Sequence, residues 1–267
     1  MSNKDAKVAH YVRGLRDFAE TFEEAKLKTT ANWLTLFISG ILSDHPLSSS
    51  DYEKAYAEFR TELQNTFRIS PDVLTELERL LSYPTTPSQK MNEQAAAFLK
   101  ETKAKVKMVN KIRLTLRHGN LDQEQLFYGN CFVYLILMEG VFDTLLSLLC
   151  AWSEASAGRP VQSKNIEIAK QSLPLLHDRH GVHSLQEEYW GDRGHLRNAI
   201  AHARFSYDPK DGGHFLDLHG GKDEVISAYN LDRKVVALYD LAAVVLLLLI
   251  MRLSVRDALL NFAGRQE

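Results

Sequence analysis

The sequence predicts a mainly α-helical protein with one short β-hairpin placed just before its last helix. Two observations predict it. Apolar residues recur at helical spacing along most of the 267 residues, broken by recognisable helix start and stop signals. Aromatic-rich runs flank a glycine-bearing loop at one place only, residues 204–218, the pattern of a hairpin.

The elements follow in order. Residues 8–28 read as a charged amphipathic helix and 31–43 as a short apolar one, with a Ser-rich break at His45–Ser50. Ser50-Asp51-Tyr52-Glu53 has the spacing of a capping box, which opens a helix running to about Phe67. Ser70-Pro71-Asp72 starts the next, with proline at the first helical position, where its missing N–H costs nothing. Tyr83–Ser88 is the clearest linker. A helix from about Met91 to Arg117 ends at His118-Gly119-Asn120, and Asp122-Gln123-Glu124-Gln125 caps another that continues to about Ser156. Residues 163–173 look helical, 177–194 irregular, and a short helix begins near His195. Arg204–Tyr207 and His214–Leu218 are the hairpin strands, with Gly212, Gly213, Gly220 and Gly221 as turn glycines, and the last helix spans about Asn230 to Phe262.

Composition narrows the function classes. A formal net charge of -2 excludes a chain that binds nucleic acid through its overall charge, so any such contact needs a local patch. Cys131 and Cys150 fall on one predicted helix, where nineteen residues at 1.5 Å each keep them roughly 28 Å apart, too far for a disulfide. Reduced thiols and a charged N-terminus without an apolar signal core point to the cytoplasm. The most apolar run, Leu241–Met251, falls well short of the ~20 residues of a membrane helix and reads as a buried helix. No Walker loop, dinucleotide glycine fingerprint or serine-hydrolase elbow is present in the sequence, which argues against those enzyme classes.

The segment His195–Arg204 carries the candidate chemistry. At about 100° per residue, Leu196, Ala199, Ile200 and Ala203 fall within roughly 100° of arc and form the stripe expected to be buried. The opposite face carries Arg197, Ala201, Asn198 and His202 in that order, with Arg197 and His202 about 140° apart at its two edges. Arg193 and Arg204 extend the arginine edge and His195 the histidine edge. A guanidinium binds phosphate bidentately and stays charged. An imidazole moves protons near neutral pH, and a small alanine between them admits a bulky ligand. Those groups suit phosphodiester cleavage by an internal 2′-hydroxyl, which needs a proton carrier and a fixed positive charge at phosphorus. On spacing alone, a solvated helix face accounts for the same residues.

Arg197-Asn198-Ala199-Ile200-Ala201-His202 resembles the R-x4-H signature of the HEPN family, including the polar residue directly after the arginine. The order of elements over about residues 122–262 is similar too: a long helix, a loop, the short motif helix, a hairpin and a closing apolar helix. This divides the chain into a helical N-terminal region, 1–120, of no assigned role, and a HEPN-like domain, 121–267. The resemblance implies a helical bundle that dimerises through the motif region, so that two motif helices share one cleft. It implies a metal-independent, cofactor-free endoribonuclease acting as a toxin or phage-defence effector, or a binding module that has lost activity. Arg197 would stabilise phosphate charge, His202 would carry the proton, and Asn198 would orient the phosphate. A nucleotidyltransferase-like antitoxin is the partner implied. One toxin subgroup has tyrosine two residues beyond the motif histidine; here Arg204 stands there, which puts control by tyrosine modification in doubt.

Other residues are weighed beside these. Glu139 and Asp143 lie four apart on an otherwise apolar helix, and Glu139 is the candidate to orient Arg197 or His202, against the simpler reading of an exposed or structurally paired acid. Lys100, Lys103, Lys107 and Lys111 make one helical stripe, with Lys105, Arg113 and Arg117 nearby and Val106, Val109, Ile112 and Leu116 opposite. Lys103, Lys107 and Lys111 are the candidate RNA-tracking residues, against the simpler reading of a solvated face. His177, His180 and His183 repeat every three residues, but Gly181 weakens a helix there and no cysteine is near, so no metal is expected. Tyr189 and Trp190 suit packing under a loop better than base stacking.

Overall fold

The computed structural model describes residues 49–81, 89–144, 147–148, 195–217 and 222–263. The protein is mainly α-helical, with a small antiparallel sheet directly before the last helix. The chain divides into two compact units, Met1–Pro71 with Ala243–Glu267, and Asp72–Ala242. Gln89–His118 and the helix after it belong to the same unit and pack together.

In the first unit, helix α1 (Ser49–Phe67) ends at the expected phenylalanine. Ser50 lies inside it, so the capping-box spacing is offset from the first helical residue. Phe59, Leu63 and Phe67, spaced by four, are buried as one stripe. Arg68 follows in the left-handed region, φ 49°.

The second unit starts within α2 (Pro71–Leu81), whose proline holds the first helical position. Helix α3 (Gln89–His118) buries Thr102, Val106, Val109, Asn110 and Arg113. Arg113, near the lysine stripe in sequence, lies eleven residues after Thr102 and so on the buried face. There its guanidinium lies over the ring of Tyr239, 5.0 Å from the centroid, where the electron-rich face offsets part of the cost of burying a cation. Helix α4 (Gln123–Leu135) opens with a complete capping box: Gln125 N–H donates to Asp122 Oδ1 at 2.7 Å and Asp122 N–H to Gln125 Oε1 at 3.1 Å. It does not continue as plain α-helix. Residues Ile136–Phe142 form a π-helical turn.

After the motif helix α5 (His195–Ala201) come strands β1 (Phe205–Asp208), β2 (Gly212–Asp217) and β3 (Lys222–Ile226), in sheet order β1-β2-β3, all antiparallel. The hairpin is where the sequence places it, but a third strand joins it. Lys222-Asp223-Glu224 is charge-rich and carries no strand signal of its own; pairing with β2 creates the strand. Helix α6 (Ala228–Ala263) is capped by Ser227, whose Oγ accepts from Asn230 N–H at 3.2 Å. Every residue from Leu241 to Leu249 is buried, as expected of a helix apolar on all sides. Among the described residues one stretch, Gln123–Phe142, is long and apolar enough by composition to cross a bilayer, and 44% of its apolar 18-residue window is buried.

Phe127 of α4 is the hub of this unit. It is fully buried, and its ring lies 5.2 Å from Tyr207, 5.6 Å from Phe215 and 6.2 Å from Phe205. Such tilted aromatic pairs add about 0.5–1.5 kcal/mol each beyond burial. Gly213 makes the contact with β2 close: a Cβ there would overlap the Phe127 ring. Gly213 is thus a packing glycine within β2, while Gly212, φ 103°, takes the left-handed conformation at the turn. Cys131 lies one turn further along α4, and burial pushes its thiol up to about 12, so it stays protonated and inert.

Two substitutions test this packing. Phe127→Ala lowers the unfolding free energy by about 3–5 kcal/mol, and Gly213→Ala lowers it by about 1–3 kcal/mol through overpacking, read by urea denaturation. A Gly213→Ala protein as stable as the wild type would show that the ring does not press on β2.

Candidate active site

Seven residues cannot hold a helix alone in water, so α5 depends on its buried face. Leu196, Ala199 and Ile200 are buried, and the helix packs against β2 and α4. Burying each large side chain contributes about 1.5–3 kcal/mol. Arg197 and Asn198 are half-buried, and Ala201 and His202 are exposed. His195 is the first residue of α5.

Ala203, on the stripe that helical spacing predicts to be buried, is exposed. The reason is how the helix ends. Ala203 takes φ 52°; its N–H donates to Ile200 O at 3.1 Å, and Arg204 N–H donates to Ala199 O at 2.8 Å. This pair of bonds around a left-handed residue is a Schellman motif. His202 is therefore the C-cap, its own N–H donating to Asn198 O at 3.0 Å. Arg204 lies beyond the helix and does not extend its arginine edge. Its carbonyl accepts from Leu216 N–H at 3.0 Å, which stitches the turn to β2.

The arginine is held from two sides. Its Nε–H forms an ion pair with Glu139 Oε1, and Nη1 donates to Asn198 Oδ1 at 2.8 Å. A guanidinium has five N–H donors; those on Nη2 and the second on Nη1 have no partner among the described residues, and the side chain is one-third exposed. Glu139 meets Arg197 across 58 positions of sequence. His202 makes no side-chain hydrogen bond among the described residues. Arg197 and His202 leave one helix about 140° apart and roughly 7.5 Å along its axis, so α5 by itself does not converge them on one small group.

Glu139 sits inside the π turn, where Asp143 N–H donates to Met138 O five residues back. Its neighbours Leu137, Met138, Val141 and Phe142 are all buried. Lys105 of α3 reaches this turn: its Nζ donates to Gly140 O at 2.6 Å, and Thr144 Oγ1 donates to the same oxygen at 3.0 Å. A donor inserted into the carbonyl row is a recognised cause of departure from α geometry. A Cβ on Gly140 would come within 2.9 Å of Lys105 Cδ, so glycine leaves room for the lysine stem. Lys105 and Gly140 carry no motif; the one sequence hint is a glycine beside the acid of an apolar helix.

Of the lysine stripe, Lys100, Lys107 and Lys111 are exposed and Lys103 is half-buried. His177, His180, His183, Tyr189, Trp190 and Arg193 lie outside the described residues. Among the described residues no cluster of three or more His, Cys, Asp or Glu side chains is suited to a metal. Compared with protein families, with curated proteins and with solved structures, the chain matches none.

Ala203 gives a test with two signs. Ala203→Gly raises the unfolding free energy by about 0.5–1 kcal/mol, because only glycine takes this conformation freely, and Ala203→Val lowers it by about 1–2 kcal/mol. Equal effects from the two substitutions in urea denaturation would contradict the Schellman ending.

Proposed function

We propose that this chain is a metal-independent endoribonuclease of the HEPN type, acting in the cytoplasm as a toxin or defence effector. The observation that carries the reading is Arg197, fixed through Nε by Glu139 and through Nη1 by Asn198, with its remaining edge without a partner among the described residues and His202 exposed one turn and a half further along. The sequence resemblance supplies the same pair of residues.

In the proposed reaction, His202 takes the proton of a ribose 2′-hydroxyl. The 2′-oxygen bonds to phosphorus, the bond from phosphorus to the 5′-oxygen breaks, and the departing oxygen receives a proton from an imidazolium. The products are a 2′,3′-cyclic phosphate and a 5′-hydroxyl. Arg197 stabilises charge on the non-bridging oxygens. Because the two side chains diverge on one helix, the proposal includes a homodimer in which His202 of one copy works with Arg197 of the other. Lys103, Lys107 and Lys111 would track the RNA backbone, and a nucleotidyltransferase-like antitoxin would restrain the activity.

A non-catalytic RNA- or protein-binding module is the second reading. What favours it is the same ion pair: a guanidinium already balanced by a carboxylate carries less net charge to a phosphate.

RNA incubated with the protein in EDTA separates the two. The enzyme reading expects cyclic-phosphate ends from wild type, with Arg197→Ala and His202→Ala each reducing cleavage at least a hundred-fold and moving Tm by only a few degrees. Cleavage that survives both substitutions, or that EDTA abolishes, contradicts it. For the stripe, changing Lys103, Lys107 and Lys111 together to Gln should weaken RNA binding and flatten the slope of log K against log salt by about 2, at roughly 0.7 per phosphate contact on a single strand. An unchanged slope removes the stripe from the interface.

A further inference from the structure

We propose that Lys105 is a positioning residue for the candidate site, acting through Gly140 and Glu139 on Arg197. Its ammonium holds the Gly140 carbonyl at 2.6 Å, one peptide beyond Glu139, inside the seven-residue turn Ile136–Phe142. That turn has the wide hydrogen bond from Asp143 to Met138. In a regular α-helix each residue advances about 100°, and in a π turn less, so the width of this turn sets the direction in which Glu139 leaves the backbone. Glu139 in turn holds Arg197 Nε–H.

Two further facts favour a dedicated contact over a surface lysine resting on a helix. The stem of Lys105 crosses Gly140 so closely that a single added carbon would meet its Cδ at 2.9 Å. Its alternative partner, Glu101 one turn back on α3, is at 4.0 Å, the weaker of the two attachments. The ammonium therefore contributes to the aim of a carboxylate on a different helix, and not to a phosphate-tracking surface. The lever runs from α3 to the motif helix through two contacts, neither of which touches RNA.

The inference rests on the nuclease reading only for its consequence in cleavage, and the experiment separates the two. The probe is the Arg197 Nε–H resonance of the full chain in 1H–15N spectra, assigned by its loss in Arg197→Lys, with Glu139→Gln marking the position of the released guanidinium. Lys105→Met removes the ammonium and keeps the stem. Gly140→Ala keeps the ammonium, displaces the stem and improves helix propensity. Both should move the resonance to the Glu139→Gln position, while Lys105→Arg, which retains donors, leaves it near the wild-type position. In RNA cleavage Lys105→Met should lower kcat about ten- to a hundred-fold with KM little changed, as misplacement of a catalytic group does. An Arg197 resonance unmoved in a folded Lys105→Met protein overturns the proposal. Unfolding of both Lys105→Met and Gly140→Ala overturns it too, because the contact would then prop the fold and not aim a side chain. A resonance that moves as stated in a protein that cleaves no RNA leaves the positioning role standing and removes the nuclease reading.

Discussion

The geometry of the candidate site depends on one constraint, the ion pair that joins Glu139 to Arg197. A free arginine has about 2 kcal/mol of rotamer entropy to lose when it grips a phosphate. Here part of that ordering is complete before any ligand arrives, since Nε and Nη1 are already engaged by Glu139 and Asn198. The arrangement trades net charge for direction. A carboxylate beside a guanidinium weakens its pull on a distant anion, yet it fixes the plane in which the remaining N–H groups point. Preorganised donors of this kind gain most of their value where charge develops in a transition state.

Both partners of the pair are set in place by packing that lies beneath them. Phe127 holds β1 and β2 against α4, and Arg204 ties the end of the motif helix to β2. The helix is too short to form on its own, so this attachment decides where Arg197 and His202 begin. On the other side, the π turn follows directly from α4 and is gripped by Lys105 from α3. Of these elements, the π turn reaches the arginine directly through Glu139, while α3 holds that turn through Lys105 and β2 holds the motif helix through Arg204.

Much of this fold is legible in the sequence because it is written locally. The capping box at Asp122–Gln125, the proline opening α2 and the paired aromatic runs around Gly212 each involve residues within a few positions of one another. The features that escape a sequence reading are those decided by distant partners. Lys222–Ile226 becomes a strand only because β2 offers an edge. The π turn exists where Lys105 meets Gly140, thirty-five positions away. Arg113 looks like one more surface cation until Tyr239 provides its ring. Ala203 fits the apolar stripe of an ideal helix, and a wheel has no means of showing that the helix has already ended. The Arg–His spacing is a local pattern, whereas the pairing of Glu139 with Arg197 joins residues 58 positions apart.

The most direct measurement is a double-mutant cycle on that pair. Unfolding free energies of wild type, Glu139→Gln, Arg197→Gln and the double variant, from urea denaturation, should give a coupling of about 0.5–1 kcal/mol, within the range for a partly exposed ion pair. Single effects that add to within about 0.3 kcal/mol would mean that the two side chains do not hold one another, and the account of the site built on them would fail.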